Sequence, residues 1–244
     1  MAGMTSASVF VRSTLFMLAA ICITPPYALL AWVVWPLPAR VRYRIVTSWS
    51  HIMIAMARAI CGIRYRVVGQ PPQGGPYIVL SKHQSAWETL AFQVLFPPQV
   101  LVLKRWLLWL PFFGWGLATL SPITVTPGAG TRTLRRMLVQ GRDRLEQGFW
   151  VVVFPEGTRV RHGERGTYQA GGAWLACKTN VPVVPVAHDA GRLWPKNSFL
   201  KYPGVVTVRI GTPIEPDGLS TEELNRRVAD WIELQMSTLA AQEA

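Results

Sequence analysis

The sequence predicts an α/β domain, a mixed and largely parallel sheet flanked by helices, joined to an N-terminal membrane helical element. Three observations carry that reading. Short apolar runs of strand length alternate with stretches whose apolar residues recur at helical spacing. Gly and Pro clusters separate the two kinds of segment. An uncharged run of 23 residues, 13–35, precedes the first predicted strand. Strands that alternate with helices are covered on both faces, which favours parallel pairing around a buried sheet.

The uncharged run, STLFMLAAICITPPYALLAWVVW, is long enough to cross a hydrocarbon core of about 30 Å. Pro25 and Pro26 remove backbone donors near its middle, so the segment is expected as a kinked span or as two short helices folded into a hairpin. Its apolar stretch is too long for a cleaved signal peptide and lacks a small-x-small site, which points to a retained anchor. Residues 41–60 place apolar side chains at helical spacing beside Arg42, Arg44 and Arg58, the pattern of an interfacial helix with snorkelling arginines. His51 within it is expected to be structural. Residues 1–62 thus form an anchor and interfacial helix, and 63–244 the remaining domain.

Within that domain RYRVV (64–68), YIVLS (77–81), VLVLK (100–104), WVVVF (150–154), VPVVPVA (181–187) and VVTVRI (205–210) read as strands. Residues 86–96, 130–147 and 168–179 read as helices. A last helix starts at Ser220, with Glu223 at capping-box spacing, and runs to about residue 240. Gly62, Gly69, residues 71–76 and the prolines at 97–98 mark breaks.

Composition narrows the function classes. Half the residues are hydrophobic and 16% charged, against roughly a quarter charged in an average soluble protein. Eleven tryptophans suit a membrane–water interface. The formal charge is +12, and eight basic residues precede the first acid, Glu88. Such a run is attracted to anionic lipid headgroups and favours the cytoplasmic side. Nucleic acid is the competing partner for so basic a chain, but zinc-finger spacing, basic heptads and RNA-recognition signatures are all missing from the sequence. Cys22, Cys61 and Cys177 are too few and too scattered for a disulfide framework or metal cluster, and read as buried small hydrophobes.

Two segments carry chemistry. In SKHQSAWETL (81–90), Ser85 and Glu88 have capping-box spacing, which accounts for both without catalysis. His83 is left over, on a loop at the carboxyl end of a strand, where open α/β sheets place ligands. Glu88 can bind one ring nitrogen and leave the other free to take a proton from an alcohol. Two ligands do not make a zinc site, and neither HExxH nor a G-x-S-x-G elbow is present, so no metal and no serine nucleophile are expected. In FPEGTR (154–159), Gly157 lets backbone approach a ligand and Arg159 offers a planar fork for phosphate oxygens. A solvated Glu–Arg turn is the plainer alternative.

HQSAWE (83–88), LPFFGWG (110–116), FPEGTR (154–159) and VPVVPVA (181–187) occur in that order. Together they resemble the glycerolipid acyltransferases, specifically the bacterial 1-acyl-glycerol-3-phosphate acyltransferases, over roughly residues 63–215 plus the membrane segment. The resemblance implies a glycerol-3-phosphate acyltransferase-like fold at the cytoplasmic face of a bacterial inner membrane. It implies transfer of an acyl chain from acyl-CoA or acyl-carrier protein to the sn-2 hydroxyl of a lysophospholipid, giving phosphatidic acid, with no cofactor beyond the donor. His83 and Glu88 fall on the catalytic pair, Glu156, Gly157, Thr158 and Arg159 on the acceptor's phosphate end, and Lys104 on a second phosphate contact. Glu88 departs from the usual Asp by one methylene. Trp106 stands where an acid is common, and Thr126 and Pro127 where an Asp–Arg pair is common. The last departure leaves open a lyso-ornithine lipid or other lysolipid as acceptor. An idle lipid-binding protein and a thioesterase are the remaining alternatives. Acid-limb pH dependence follows if an ordinary histidine, titrating near 6.5, must be neutral to act.

Overall fold

The computed structural model describes residues 6–96, 98–126, 128 and 130–242; Pro97 of the predicted break and Pro127 lie outside them. Each predicted strand forms, and the described residues add a short one. They are β1 (Ile63–Val68), β2 (Ile78–Ser81), β3 (Gln99–Lys104), β4 (Ile123–Val125), β5 (Trp150–Val153), β6 (Val183–His188) and β7 (Gly204–Ile210). The sheet order is β1-β7-β6-β2-β5-β3-β4. Pairing is parallel throughout except between β6 and β7, so the sheet is mixed and largely parallel as expected.

Strand periodicity sorts side chains to two cores. Val79, Val152, Val184 and Val206 join Phe92 of α3 (Trp87–Leu95), Met53 and Ala57 of α2 (Ala39–Ala59), and Phe16 of α1 (Ser6–Val33). On the other face Ile78, Leu80, Val151 and Val183 meet three further helices. These are α5 (Gly130–Glu146), through Met137; α6 (Gly171–Thr179), through Leu175; and α8 (Thr221–Ala241), through Leu224 and Ile232. Every residue of β2, β5 and β6 is buried; at about 1.5–3 kcal/mol per large apolar side chain, these central strands contribute heavily to the stabilisation. Ser220 accepts the Glu223 amide at 3.1 Å at the start of α8, as capping requires. Ser220→Ala is expected to cost about 1 kcal/mol, read as a small fall in melting temperature with turnover unchanged.

Two expectations change, one alternative is resolved and one unassigned segment gains a helix. Of the two forms expected for the N-terminal run, the structure excludes the hairpin and keeps the single long helix. α1 continues through Pro25 and Pro26 for 28 residues, about 42 Å at the usual rise, and α2 folds back beside it. Arg42 does not snorkel: it donates to the carbonyls of Thr119, Trp35 and Leu37 and to Ser121 Oγ, clamping the start of α2. Cys22 lies exposed on the outer face of α1 and Cys177 is half-buried, so only Cys61 is a buried hydrophobe. The LPFFGWG segment, unassigned from sequence, enters α4 (Phe113–Thr119) after a 3-10 turn at Arg105–Trp109. α1 is long and apolar enough to cross a membrane. Its outer side chains, among them Phe10, Leu18, Ile21 and Trp32, are more than half exposed, an apolar surface that suits lipid.

Candidate active site

β2 and β5 are hydrogen-bonded neighbours with Leu80 opposite Val153. Their carboxyl ends therefore release HQSAWE and FPEGTR side by side, although some seventy residues separate them in sequence. His83 Nδ1 lies 2.8 Å from Glu88 Oε1. The same oxygen accepts the backbone amides of Gln84 at 2.9 Å and Ser85 at 2.8 Å, while Ser85 Oγ accepts the amide of Trp87. The expected capping box does not form: Ala86 is the N-cap of α3 and has no side-chain cap, so Glu88 ties down the loop ahead of the helix instead. One carboxylate oxygen secures the helix entrance and orients the imidazole. The extra methylene of Glu88 still allows the 2.8 Å contact.

The Glu88 carboxylate is wholly buried. Burial pushes its carboxyl up, but interaction with His188, the His83 hydrogen bond and charge, and the Ser85 amide outweigh that, holding it below the ordinary carboxylate value. An acceptor-only carboxylate obliges Nδ1 to be the protonated ring nitrogen. Nε2 is left with no partner among the described residues. The ring stacks on Phe154 at 4.1 Å between centroids, which restricts its rotation.

Glu156 is a correction. Expected to line the acceptor's phosphate end, its carboxylate turns inward: Oε2 accepts the His83 amide at 2.9 Å and Oε1 pairs with Lys82 Nζ at 2.9 Å. An anion committed to a buried ammonium and an amide is not available to a ligand, and it would repel a phosphate. Gly157 takes a left-handed φ of +64° with its amide on Phe154 O. It lies exposed with Thr158 at the rim. Arg159 is half-buried and its Nε, shielded from solvent, has no hydrogen-bond partner. Lys104 ends β3, which is separated from β2 by β5, and its ammonium makes no bond or ion pair among the described residues.

Sequence reasoning missed Lys82, His188, Tyr168 and Glu233. His188 is fully buried and donates Nε2–H to the Lys82 carbonyl at 2.9 Å, fixing the residue before the base. Strand alternation was the available signal for Lys82, because it follows Ile78 and Leu80 onto the α8 side of the sheet.

A separate apolar pocket lies between α1, α2, α3 and α4, with about 540 Å³ of empty space including its mouth. Tyr27, Trp49, Leu90, Leu101, Phe113 and Leu117 line it. It holds no carboxylate, amine or imidazole, and His83 is not part of its wall. Thr89, which follows Glu88 in sequence, is among its lining residues.

The Acyltransferase family model matches residues 63–189, which hold His83, Glu88 and the FPEGTR turn. The chain belongs to the acyltransferase family. This acyltransferase is 42% identical over 209 residues to a 1-acyl-sn-glycerol-3-phosphate acyltransferase of Pseudomonas aeruginosa, covering 84% of this chain and 81% of that one. A mouse 1-acyl-sn-glycerol-3-phosphate acyltransferase alpha is 28% identical over 193 residues, covering 77% and 67%. Among solved structures, the 1-acyl-sn-glycerophosphate acyltransferase of Thermotoga maritima superposes with a TM-score of 0.80 over 95% of each chain, at 24% identity. That likeness extends the shared fold through α1, α2 and α8.

Proposed function

We infer that this acyltransferase moves an acyl chain from a thioester donor, acyl-CoA or acyl-carrier protein, to the sn-2 hydroxyl of 1-acyl-glycerol-3-phosphate, giving phosphatidic acid. The observation that carries the reading is the imidazole of His83, fixed through Nδ1 by a buried carboxylate and open at Nε2. Nε2 takes the proton of the acceptor hydroxyl as its oxygen attacks the thioester carbonyl. The C–O bond forms, the C–S bond breaks, and the proton passes from His83 to the departing thiolate. No covalent enzyme intermediate is required. Glu88 does not itself gain the proton; it holds the tautomer and stabilises the imidazolium.

Arg159 and Lys104 bind the acceptor phosphate, with Gly157 and Thr158 at the rim. The unpaired Nε of Arg159 supports this, because a shielded donor without an acceptor is unfavourable until a ligand supplies one. The apolar pocket beside α3 suits an alkyl chain. Residues 1–62 act as the membrane element and 63–244 as the transferase. The eight basic residues before Glu88 favour a cytoplasmic orientation on an anionic inner membrane.

The test uses detergent-purified enzyme with lysophosphatidic acid and acyl-CoA or acyl-carrier protein, following thiol release and lipid products. Phosphatidic acid formation is expected. Thiol release without acceptor would make the protein a thioesterase, and turnover only with lyso-ornithine lipid or another lysolipid would replace the acceptor. Arg159→Ala should raise KM for lysophosphatidic acid by about 10- to 100-fold, the worth of a charged hydrogen bond, with donor KM unchanged. An unchanged acceptor KM removes Arg159 from the phosphate site.

A further inference from the structure

The HQSAWE loop is held from beneath by a charge network that no motif describes. Lys82 is 1% exposed, and its ammonium lies against three oxygens: Glu156 Oε1 at 2.9 Å, Glu233 Oε1 at 2.8 Å and the Glu164 carbonyl at 3.0 Å. Two of these contacts are hydrogen bonds, to Glu164 and Glu233; Glu156 Oε1 is held by charge and makes no hydrogen bond of its own. Glu156 spends its other oxygen on the His83 amide, and the His83 carbonyl accepts the Val160 amide at 2.8 Å. The backbone of the base is therefore held at both ends by the segment that follows β5.

Glu233 comes from α8, outside residues 63–189. The Tyr168 hydroxyl donates to the same Glu233 oxygen at 2.7 Å, and Asn225 of α8 donates to the Tyr168 carbonyl at 3.1 Å. α8 thus grips the loop that leads out of FPEGTR at two points. Gly166 closes this loop over Glu156: a Cβ there would fall 2.8 Å from Glu156 Oε1. One ammonium lies between two carboxylates, so a change in any of the three charges leaves the others poorly matched in a buried place.

We propose that Glu233 and Lys82 are positioning residues for acyl transfer: through Glu156 they set the backbone of His83, and so the direction of Nε2. Neither touches substrate. The inference rests on the role given to His83 above. Its chemical content is that the C-terminal helix is part of the catalytic support, since misplacement of a reacting group by about 1 Å can cost about 100-fold in rate.

The test compares Glu233→Leu, which removes the acceptor of both Lys82 and Tyr168, with Glu233→Gln, which keeps an acceptor oxygen. Expected for Glu233→Leu is a fall in kcat of about 10- to 100-fold with KM for donor and acceptor within about twofold; Glu233→Gln should return most of the loss. A lower melting temperature with kcat unchanged overturns the proposal, and so does a rise in KM alone. If Glu233→Leu does not fold, Tyr168→Phe carries the test, with kcat expected to fall about threefold and an unchanged kcat overturning the proposal. In 15N-histidine-labelled enzyme, the His83 Nδ1–H resonance reports the bond to Glu88 without turnover. It should move in Glu233→Leu and return in Glu233→Gln; an unmoved resonance also overturns the proposal. Were the wild type to make no phosphatidic acid, the functional reading would fail while this resonance still decided the positioning.

Discussion

His83→Ala should lower kcat for phosphatidic acid formation by about a thousandfold, within the 10²–10⁴ range of general base catalysis. The reason is structural as well as chemical. Glu88 holds the ring at 2.8 Å and Phe154 stacks against it, so the rotation that would otherwise be lost during reaction is already lost. KM for both substrates should stay close to wild type, because the acceptor phosphate is held elsewhere. Glu88→Gln makes the companion case: it keeps one acceptor oxygen but loses the charge that favours imidazolium. Its kcat should fall by roughly 10- to 100-fold, less than for removal of the base. If His83→Ala retains more than about a tenth of wild-type kcat, another group is the base. Acidic pH separates the two residues. The depressed Glu88 carboxyl contributes stability that is fully present above the ordinary carboxylate value, about 4.3. That contribution is lost only as pH falls through the lower folded value. An activity loss at mildly acidic pH therefore does not come from Glu88.

The second large effect is on stability. Lys82→Met leaves Glu156 and Glu233 buried or half-buried without their shared cation. Breaking a buried pair from one side typically costs about 3–5 kcal/mol. Chemical denaturation of the detergent-solubilised enzyme should show a loss of this order. Lys82→Arg should lose less, since charge is kept while the fork does not match the three oxygens around the ammonium. A Lys82→Met protein as stable as wild type would mean that the carboxylates protonate or rearrange without strain.

The sheet was legible because β2, β5 and β6 are β-branched runs bounded by Gly, Pro or polar turns. β4 was not: ITV is three residues between Pro122 and Thr126, too short to stand out from a connection. α4 was hidden by Gly114 and Gly116, poor helix formers that sequence reasoning assigns to turns. At the site, His83 and Glu88 could be paired because their contact is local, five residues from the loop into the first turn of α3. Glu156 was misplaced because an exposed-looking acid in a turn gives no sign of the lysine that buries it. That lysine reaches it across the sheet, and Glu233 joins from a helix 151 residues beyond Lys82. Charge pairing over such separations is fixed by topology, and no single stretch of sequence contains it.

The boundary at residue 62 marks a change of composition rather than a break in packing. Phe16, Met53 and Ala57 share one core with Val79, Val152 and Phe92, and the His83 ring stacks within the aromatic group on that same face. For a lipid-borne acceptor the consequence is one of dimensionality. His83 lies on the side of the sheet that carries the apolar helices, so under the proposed function the acceptor need not leave its layer to be acylated. The quantity that governs the rate is then the acceptor's mole fraction in the bilayer or micelle, and diluting the surface with inert lipid slows the enzyme as surely as diluting a soluble substrate in water.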